Sequence, residues 1–274
     1  MNTKRLGSTV NHVVGYGAAL LFVIPLYVLV NLALRPADDL SSALTPTTSP
    51  TLDNLSAAFT QSHLGSAMIN SAVLTTVSCL TIITFATMAA YPLARSTAKL
   101  SNATFYVFLV GLLLPFQVAL LPLYLMMRDL GLLGSLWSLI IYYTGLQMPL
   151  AIFLVTTFLR SSVPVEYEQA ARIDGCSDWR VFVHVVVPLL RPVLGTVVIL
   201  NSVAIWNDFF TPLLYLTGSH QETVPVVLYQ FVGQYTTEWP LIFGGLIISM
   251  TPVLLLYLVF QRYVIHGFAG GLKG

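Results

Sequence analysis

The chain has 274 residues, of which 56% are hydrophobic and only 8% charged, and its mean hydropathy is +0.81. Soluble domains carry roughly 25% charged residues, so this composition excludes water as the main solvent. The formal net charge of +1 gives no reason to expect a nucleic-acid partner, and basic residues spread through loops suit anionic membrane lipid instead.

Six stretches meet the roughly 20 apolar residues that a bilayer crossing takes: residues 13–34, 67–94, 103–127, 136–159, 193–216 and 241–261. They predict an all-α membrane protein with six transmembrane helices over 13–262, an N-terminal segment 1–12 and a tail 263–274. The first run follows Lys4 and Arg5 as a signal peptide would. Its apolar length exceeds the usual h-region and no small-x-small cleavage site follows, so it is expected to persist as a helix. Within the spans the only formal charge is Asp208. With loops assigned to alternate sides, Lys4, Arg5, Arg95, Lys99, Arg160, Arg172, Arg180, Arg191, Arg262 and Lys273 share one side, against Arg35 and Arg128 on the other. Ten of the twelve basic residues therefore predict a cytoplasmic location for that side and for both termini. Trp137 and Trp239 open the fourth and sixth spans on the outer side, where interfacial aromatics concentrate.

The longest outer segment, residues 35–66, contains Pro36, Pro46, Pro50 and a Ser/Thr run and reads as an irregular, solvated connector. A short amphipathic helix is expected at its end, from Asp53 to Ser62. Gly131 and Gly134 suit a tight turn between the third and fourth spans. Prolines 25, 92, 115, 122, 149, 212 and 252 lie within or beside spans, where each removes a backbone donor and can bend a helix.

The connection from Arg160 to Arg191 is patterned differently. Ser162 and Val163 are candidate caps, Pro164 suits a first helical position, and Glu166 and Glu168 sit near the positive end of the helix dipole. These signals predict a helix from Pro164 to Ile173. Asp174-Gly175 breaks it, since glycine takes the left-handed conformation without a Cβ clash. Ser177 then caps a second helix through Asp178, Trp179, Arg180, Phe182 and Val186, until Pro188 and Pro192 turn the chain into the fifth span. The loop 160–191 is thus expected to be a helix-turn-helix on the membrane surface, with Ala170 and Ala171 shaped for close docking.

Asp208 should face protein or water, because a charge at the bilayer centre costs roughly 2.5–3.5 kcal/mol on insertion scales. Asn201, Trp206 and Asn207 stand near it and offer the donors, acceptors and flat ring that bind a hydroxyl-rich solute. Two readings stay open for Asp208: solute contact, or a structural role in which it caps a helix break before Pro212 or hydrogen-bonds a neighbouring helix. Cys79 and Cys176 fall at different depths, so no disulfide is expected. His12, His63, His184, His220 and His266 show no metal-site spacing. A lone intramembrane acid is too little for an ion-coupled relay, and no catalytic constellation shares a span.

Residues Glu168-Gln169-Ala170-Ala171-Arg172-Ile173-Asp174-Gly175, with Phe182, Pro188 and Pro192, resemble the E-A-A-x-x-D-G motif of binding-protein-dependent ABC importer permeases. Gln169 departs from it: many members have glutamate there, and Glu168 supplies the acid one position earlier. Ala89-Ala90-Tyr91-Pro92-Leu93-Ala94-Arg95, Pro115-Phe116, the stretch from Pro122 to Leu132, Trp206-Asn207-Asp208-Phe209, Gln261-Arg262-Tyr263 and the closing run from Gly267 to Gly274 are similar to the carbohydrate-importer branch. The resemblance covers the chain from about Ser66 onward. It implies a subunit of the prokaryotic plasma (inner) membrane that forms half of a solute pathway beside a second permease. It also implies two ATPase subunits or domains docked on the 160–191 loop, an extracytoplasmic solute-binding protein and a sugar-like solute. The ATP and Mg chemistry would belong to the ATPase partner, with no cofactor bound by this chain, which has no phosphate-binding G-x-x-x-x-G-K-[ST] loop.

Overall fold

The computed structural model describes residues 3–61, 63–232 and 238–270. Lys273 and Gly274, which belong to the expected tail, lie outside the described residues, as does Ser62. Among the described residues every regular element is a helix: α1 Thr3–Ala33, α2 Asp53–Gln61, α3 Leu64–Arg95, α4 Lys99–Leu113, α5 Phe116–Asp129, α6 Leu136–Ser162, α7 Glu166–Ile173, α8 Asp178–Val181, a π-helical turn Phe182–Val186, α9 Val187–Leu189, α10 Arg191–Asn207, α11 Phe210–Tyr215, α12 Val224–Tyr229 and α13 Trp239–Gly270. Four helices are long and apolar enough to cross a membrane, and the number reaches six when two bent pairs each count as one.

Both bent pairs differ from the straight spans that the sequence predicts. The expected span 103–127 is two helices, α4 and α5, at 99° to each other. Pro115 stands at the corner and lacks an N–H, while Leu114 before it is extended at φ −78° and ψ 124°, the conformation that a following proline enforces. The expected span 193–216 ends early as well: α10 stops at Asn207, Asp208 is extended, and α11 begins at Phe210. The stretch before it, Asp178–Leu189, meets α10 at 69° between Pro188 and Pro192. Pro25, Pro92, Pro122, Pro149 and Pro252 lie inside continuous helices. The connection between the expected spans 193–216 and 241–261 contains α12.

The chain forms two compact units, one from residues 1–65 with 227–251 and one from 66–226 with 252–274. In the first, the 36–51 connector is far more ordered than its composition suggests. Arg35, 2% exposed, gives guanidinium hydrogen bonds to the carbonyls of Ser41, Ser42 (3.0 Å) and Thr45 (2.5 Å), and Asp39 lies 3.7 Å from its Nε. Asn31 donates to the carbonyls of Ala43 and Thr45 and accepts from the Thr47 N–H. From α2, Asn54 donates to the carbonyls of Ala33 and Arg35, satisfying acceptors that the end of α1 leaves open. A Cβ on Gly244 of α13 would stand 3.0 Å from the Asn54 carbonyl oxygen, so two backbones meet where only hydrogen fits.

The second unit holds the main apolar core, built from Leu74, Ile82, Ala86 and Ala90 of α3, Leu139, Ile152, Val155 and Leu159 of α6, and Val193 and Val197 of α10. Within Ile82-Ala86-Ala90, Ile152-Val155-Leu159 and Val193-Val197 the spacing of three or four keeps each set on one helix face. Gly131, at φ +66°, ends α5 with Leu132 N–H bonded back to the Met127 carbonyl, a turn that glycine enters freely. Ser135 then caps α6 by accepting from the Trp137 N–H at 3.3 Å.

Candidate coupling loop and pathway residues

Helix α7 starts two residues later than Pro164. Ser162 is the last residue of α6, and Val163 caps it in an extended conformation, φ −117° and ψ 99°, as a residue before proline prefers. Helix α7 ends as the Asp174-Gly175 pair predicts. Gly175 sits at φ +83°, its N–H bonds the Arg172 carbonyl, and Cys176 N–H reaches back to the Ala171 carbonyl at 3.0 Å. This pair of bonds closes the last turn and satisfies two carbonyls of the helix end. Ser177 makes no side-chain cap, although its extended backbone is the one a capping residue adopts; only its carbonyl serves the next helix, accepting from the Val181 N–H. That second helix is α for one turn, then π from Phe182 to Val186, and Pro188 lies in the short turn α9. Because Pro188 brings no N–H, the ladder is rearranged around it.

One buried carboxylate fixes this loop. Glu168, 1% exposed, accepts from Arg95 Nε at 2.7 Å and from the Tyr91 hydroxyl at 2.8 Å. Arg95 also donates to the carbonyls of Val163 at 2.9 Å and Leu159 at 3.3 Å, the open acceptors at the end of α6. In return Arg160 of α6 donates to the Leu93 carbonyl at 2.8 Å and lies 4.8 Å from the Phe105 ring centre of α4. Each of the two long helices thus lends an arginine to the other's C-terminus, where positive charge is favoured. Phe182 packs on Tyr91. Arg172 binds Asp178 at 3.0 Å, and that hydrogen bond is the main cause of the upward shift in the pKa of Arg172.

Helix α7 and its cap show outward Glu166, Tyr167, Gln169, Ala170, Arg172, Asp174 and Ile173, the last 87% exposed, while Ala171 is half-buried against the core rather than on the outer face. The acid of the motif region is therefore the inward anchor, and Gln169 stands on the outer face. The loop has the makings of a rigid lever: an exposed face with Ala170 in front, and a hydrogen-bonded ion pair behind.

The pathway residues do not form one cluster. Asp208 accepts from the Tyr143 hydroxyl at 2.9 Å through one oxygen and from the Thr211 N–H at 3.2 Å through the other. It ends α10 and caps α11 together, the break that the sequence left as one of two readings. Asn207 turns its amide back to the Val203 carbonyl on the helix exterior. Asn201 is buried at 2% and donates to Val197, and its Oδ1 has no partner among the described residues. Trp206 is buried beside Thr75 and Ser202. Sequence reasoning missed Tyr91, Arg95, Tyr143 and Arg160. Only the first two carried a signal, in the run Ala89 to Arg95, and that run gave no hint of a partner in the distant loop. The described residues contain no group of three or more His, Cys, Asp or Glu able to hold a metal.

Comparison with known proteins agrees with this architecture. The chain is 34% identical over 248 residues, 90% of each chain, to the melibiose/raffinose/stachyose import permease protein MelC of Bacillus subtilis (strain 168). It is 33% identical over 256 residues, 92% of each, to the multiple sugar-binding transport system permease protein MsmG of Streptococcus mutans serotype c. A crystal structure of a bacterial ABC transporter involved in the import of the acidic polysaccharide alginate contains a chain with the same fold, at TM-score 0.83 and 20% identity, covering 96% of this chain and 98% of that one. Residues 82–269 match the family described as binding-protein-dependent transport system inner membrane component, and with these relatives the match shows that this multi-pass membrane chain belongs to that family.

Proposed function

We propose that the chain is one of two permease subunits of an ATP-driven importer for a sugar or sugar-like solute, and that the 160–191 loop seats on a cytoplasmic ATPase partner that holds the ATP and Mg. The observation carrying this reading is the Glu168 anchor. A push on the outer face of α7 cannot be absorbed by the loop, because Glu168 ties it to α3 through Arg95 and Tyr91, and Arg95 ties it to the end of α6. Two ATPase subunits or domains, a second permease and an extracytoplasmic solute-binding protein complete the assembly. The printed names of the relatives support a saccharide cargo. The basic residues support a cytoplasmic side for both termini and for the loop. Asn201 and Trp206 are the pathway candidates, while Asp208 acts on the pathway by fixing the break between α10 and α11.

The test is ATP hydrolysis and uptake by the reconstituted complex, with and without loaded binding protein. Ala170→Trp, on the exposed face, is expected to block docking by bulk, and Gly175→Val to misdirect α8, since a left-handed conformation costs a β-branched residue about 1–2 kcal/mol. Full solute-stimulated hydrolysis and uptake by Gly175→Val would defeat the coupling role. Cysteines at positions 49 and 219 should label from outside in sealed right-side-out vesicles and one at 177 should not; the reverse pattern overturns the topology.

A further inference from the structure

In the first unit the chain leaves α1 and then folds back along it. Tyr27, Asn31 and Arg35 stand four residues apart on α1 and just past its end, and so share one face. Each gives its side chain to the connector. The Tyr27 hydroxyl donates to the Leu44 carbonyl at 3.2 Å, Asn31 to the carbonyls of Ala43 and Thr45, both at 2.8 Å, and Arg35 to those of Ser41, Ser42 and Thr45. Every carbonyl from Ser41 to Thr45 is thus taken up by a side chain. Among the N–H groups, Ser41 donates to Asp39, and Leu44 and Thr45 to the hydroxyl and the carbonyl of Ser42. In a solvated loop water would serve these groups unaided. Where water is scarce, each one left open is costly.

The depth of the fold-back agrees with that need. Tyr27 lies six residues before Ala33, the end of the apolar window Gly15–Ala33, which is about 9 Å along a helix axis. Helical side chains lean toward the N-terminus, away from that end. The Leu44 carbonyl is therefore drawn to a level inside the span. At this level the apolar side chains stay uncovered: Leu40 is 94% and Leu44 63% exposed, and α1 itself presents Val23, Leu26 and Val30. Of the four long spans α1 is the least buried, at 11% of its window. No lone charge is carried inward with the segment, because Asp39 lies 3.7 Å from Arg35 Nε.

We infer that residues 40–44 lie in the lipid beside the C-terminal end of α1, with Leu40 and Leu44 among the acyl chains. In the topology proposed above this is the outer leaflet. The donors at 27, 31 and 35 are what allow a non-helical backbone to enter it, and the partner of this surface is phospholipid. The inference concerns the membrane chain whatever its cargo.

The experiment places a nitroxide on Leu44→Cys, with Cys79→Ser and Cys176→Ser, in the assembled complex in vesicles of phosphatidylethanolamine and phosphatidylglycerol. Collisions are measured with oxygen, which concentrates in lipid, and with a nickel chelate, which stays in water. The oxygen-to-nickel ratio at Leu44→Cys should match that of a phospholipid carrying the nitroxide high on its acyl chain and exceed that at Thr48→Cys several-fold. A ratio equal to that at Thr48→Cys would put the segment in water and overturn the inference. Low access for both reagents would put a protein over it, the second permease or the binding protein, and overturn it equally. Tyr27→Phe, which strands the Leu44 carbonyl, should lower the ratio at Leu44→Cys toward that of Thr48→Cys. An unchanged ratio would overturn the donor ladder as the means of entry.

Discussion

Arg35 and Arg95 invite comparison, because each stands at the C-terminal end of a long apolar helix, is largely withdrawn from water and binds backbone carbonyls. Arg35 reaches only residues four to ten ahead of it, the part-exposed Asp39 among them, and so folds one stretch of chain onto itself. Arg95 reaches residues 64 to 73 positions away, a carboxylate among them, and so joins two helices and a loop. The same side chain at the same kind of position is a local staple in one unit and a tertiary lock in the other. The burial of the carboxylate makes the difference: Glu168, at 1% exposure, needs its cation, while Asp39, at 29%, and carbonyls near a surface can return to water.

That contrast is broken most strongly by Arg95→Ala. Stranding Glu168 at 1% exposure is expected to cost about 3–5 kcal/mol. Arg95 itself is 20% exposed, which places the loss toward the lower figure. Thermal unfolding of the purified protein in detergent would register it, and Arg95→Lys should fail to rescue, because an ammonium cannot serve a carboxylate and two carbonyls in the plane of a guanidinium. A melting temperature unchanged in Arg95→Ala would remove the lock. Arg35→Ala should cost less, about 1.5–3 kcal/mol at most, and should appear as faster proteolysis within 36–51 rather than as global melting. Equal global losses for the two arginines would erase the distinction.

Gly244→Ala probes the same neighbourhood as Arg35 from another element. Its new Cβ would stand 3.0 Å and 3.1 Å from the Asn54 carbonyl oxygen and carbon, atoms that cannot rotate away, so overpacking of about 1–3 kcal/mol is expected. A variant as stable as wild type would show that α2 yields. The smallest effect belongs to Asp39, whose carboxyl is held below its ordinary range chiefly by hydrogen bonds from Ser41, with the charge of Arg35 contributing less. With the folded pKa depressed, its contribution is complete above the unfolded value of about 3.9 and fades as pH falls through the folded one. Protection of the connector from an acid-active protease should therefore weaken only below about pH 4, and Asp39→Asn should flatten that profile.

The long helices were legible because twenty or more apolar residues permit little else, and the corner at Pro115 was legible as a proline though not as a right angle. Gly175 was read correctly because its conformation depends on its own missing side chain. Arg35 was not legible: an arginine beside a proline in a Ser/Thr-rich connector looks solvated, and its carbonyl partners leave no mark in sequence. The Glu168 anchor was invisible for a related reason, since Arg95 lies 73 residues earlier and nothing local pairs the two. Asp208 fell between these cases. Its bond to the Thr211 N–H is local and a bond to a neighbouring helix was also among the readings, but the partner, Tyr143, lies 65 residues away and could not be named.

The π-helical turn at Phe182–Val186 also has a bearing on how the chain tolerates change in length. Such a turn takes up one more residue than an α turn, as the Val187 N–H shows by reaching back to Phe182, without altering which way the following helix faces. Loss of one residue there would relax it to an ordinary α turn and leave Asn201, Trp206 and Asp208 in phase. A deletion a few residues later, inside α10, has no such slack and would swing those three by about 100°. Insertions and deletions among related chains should therefore collect at 182–186 and be absent from 191–207.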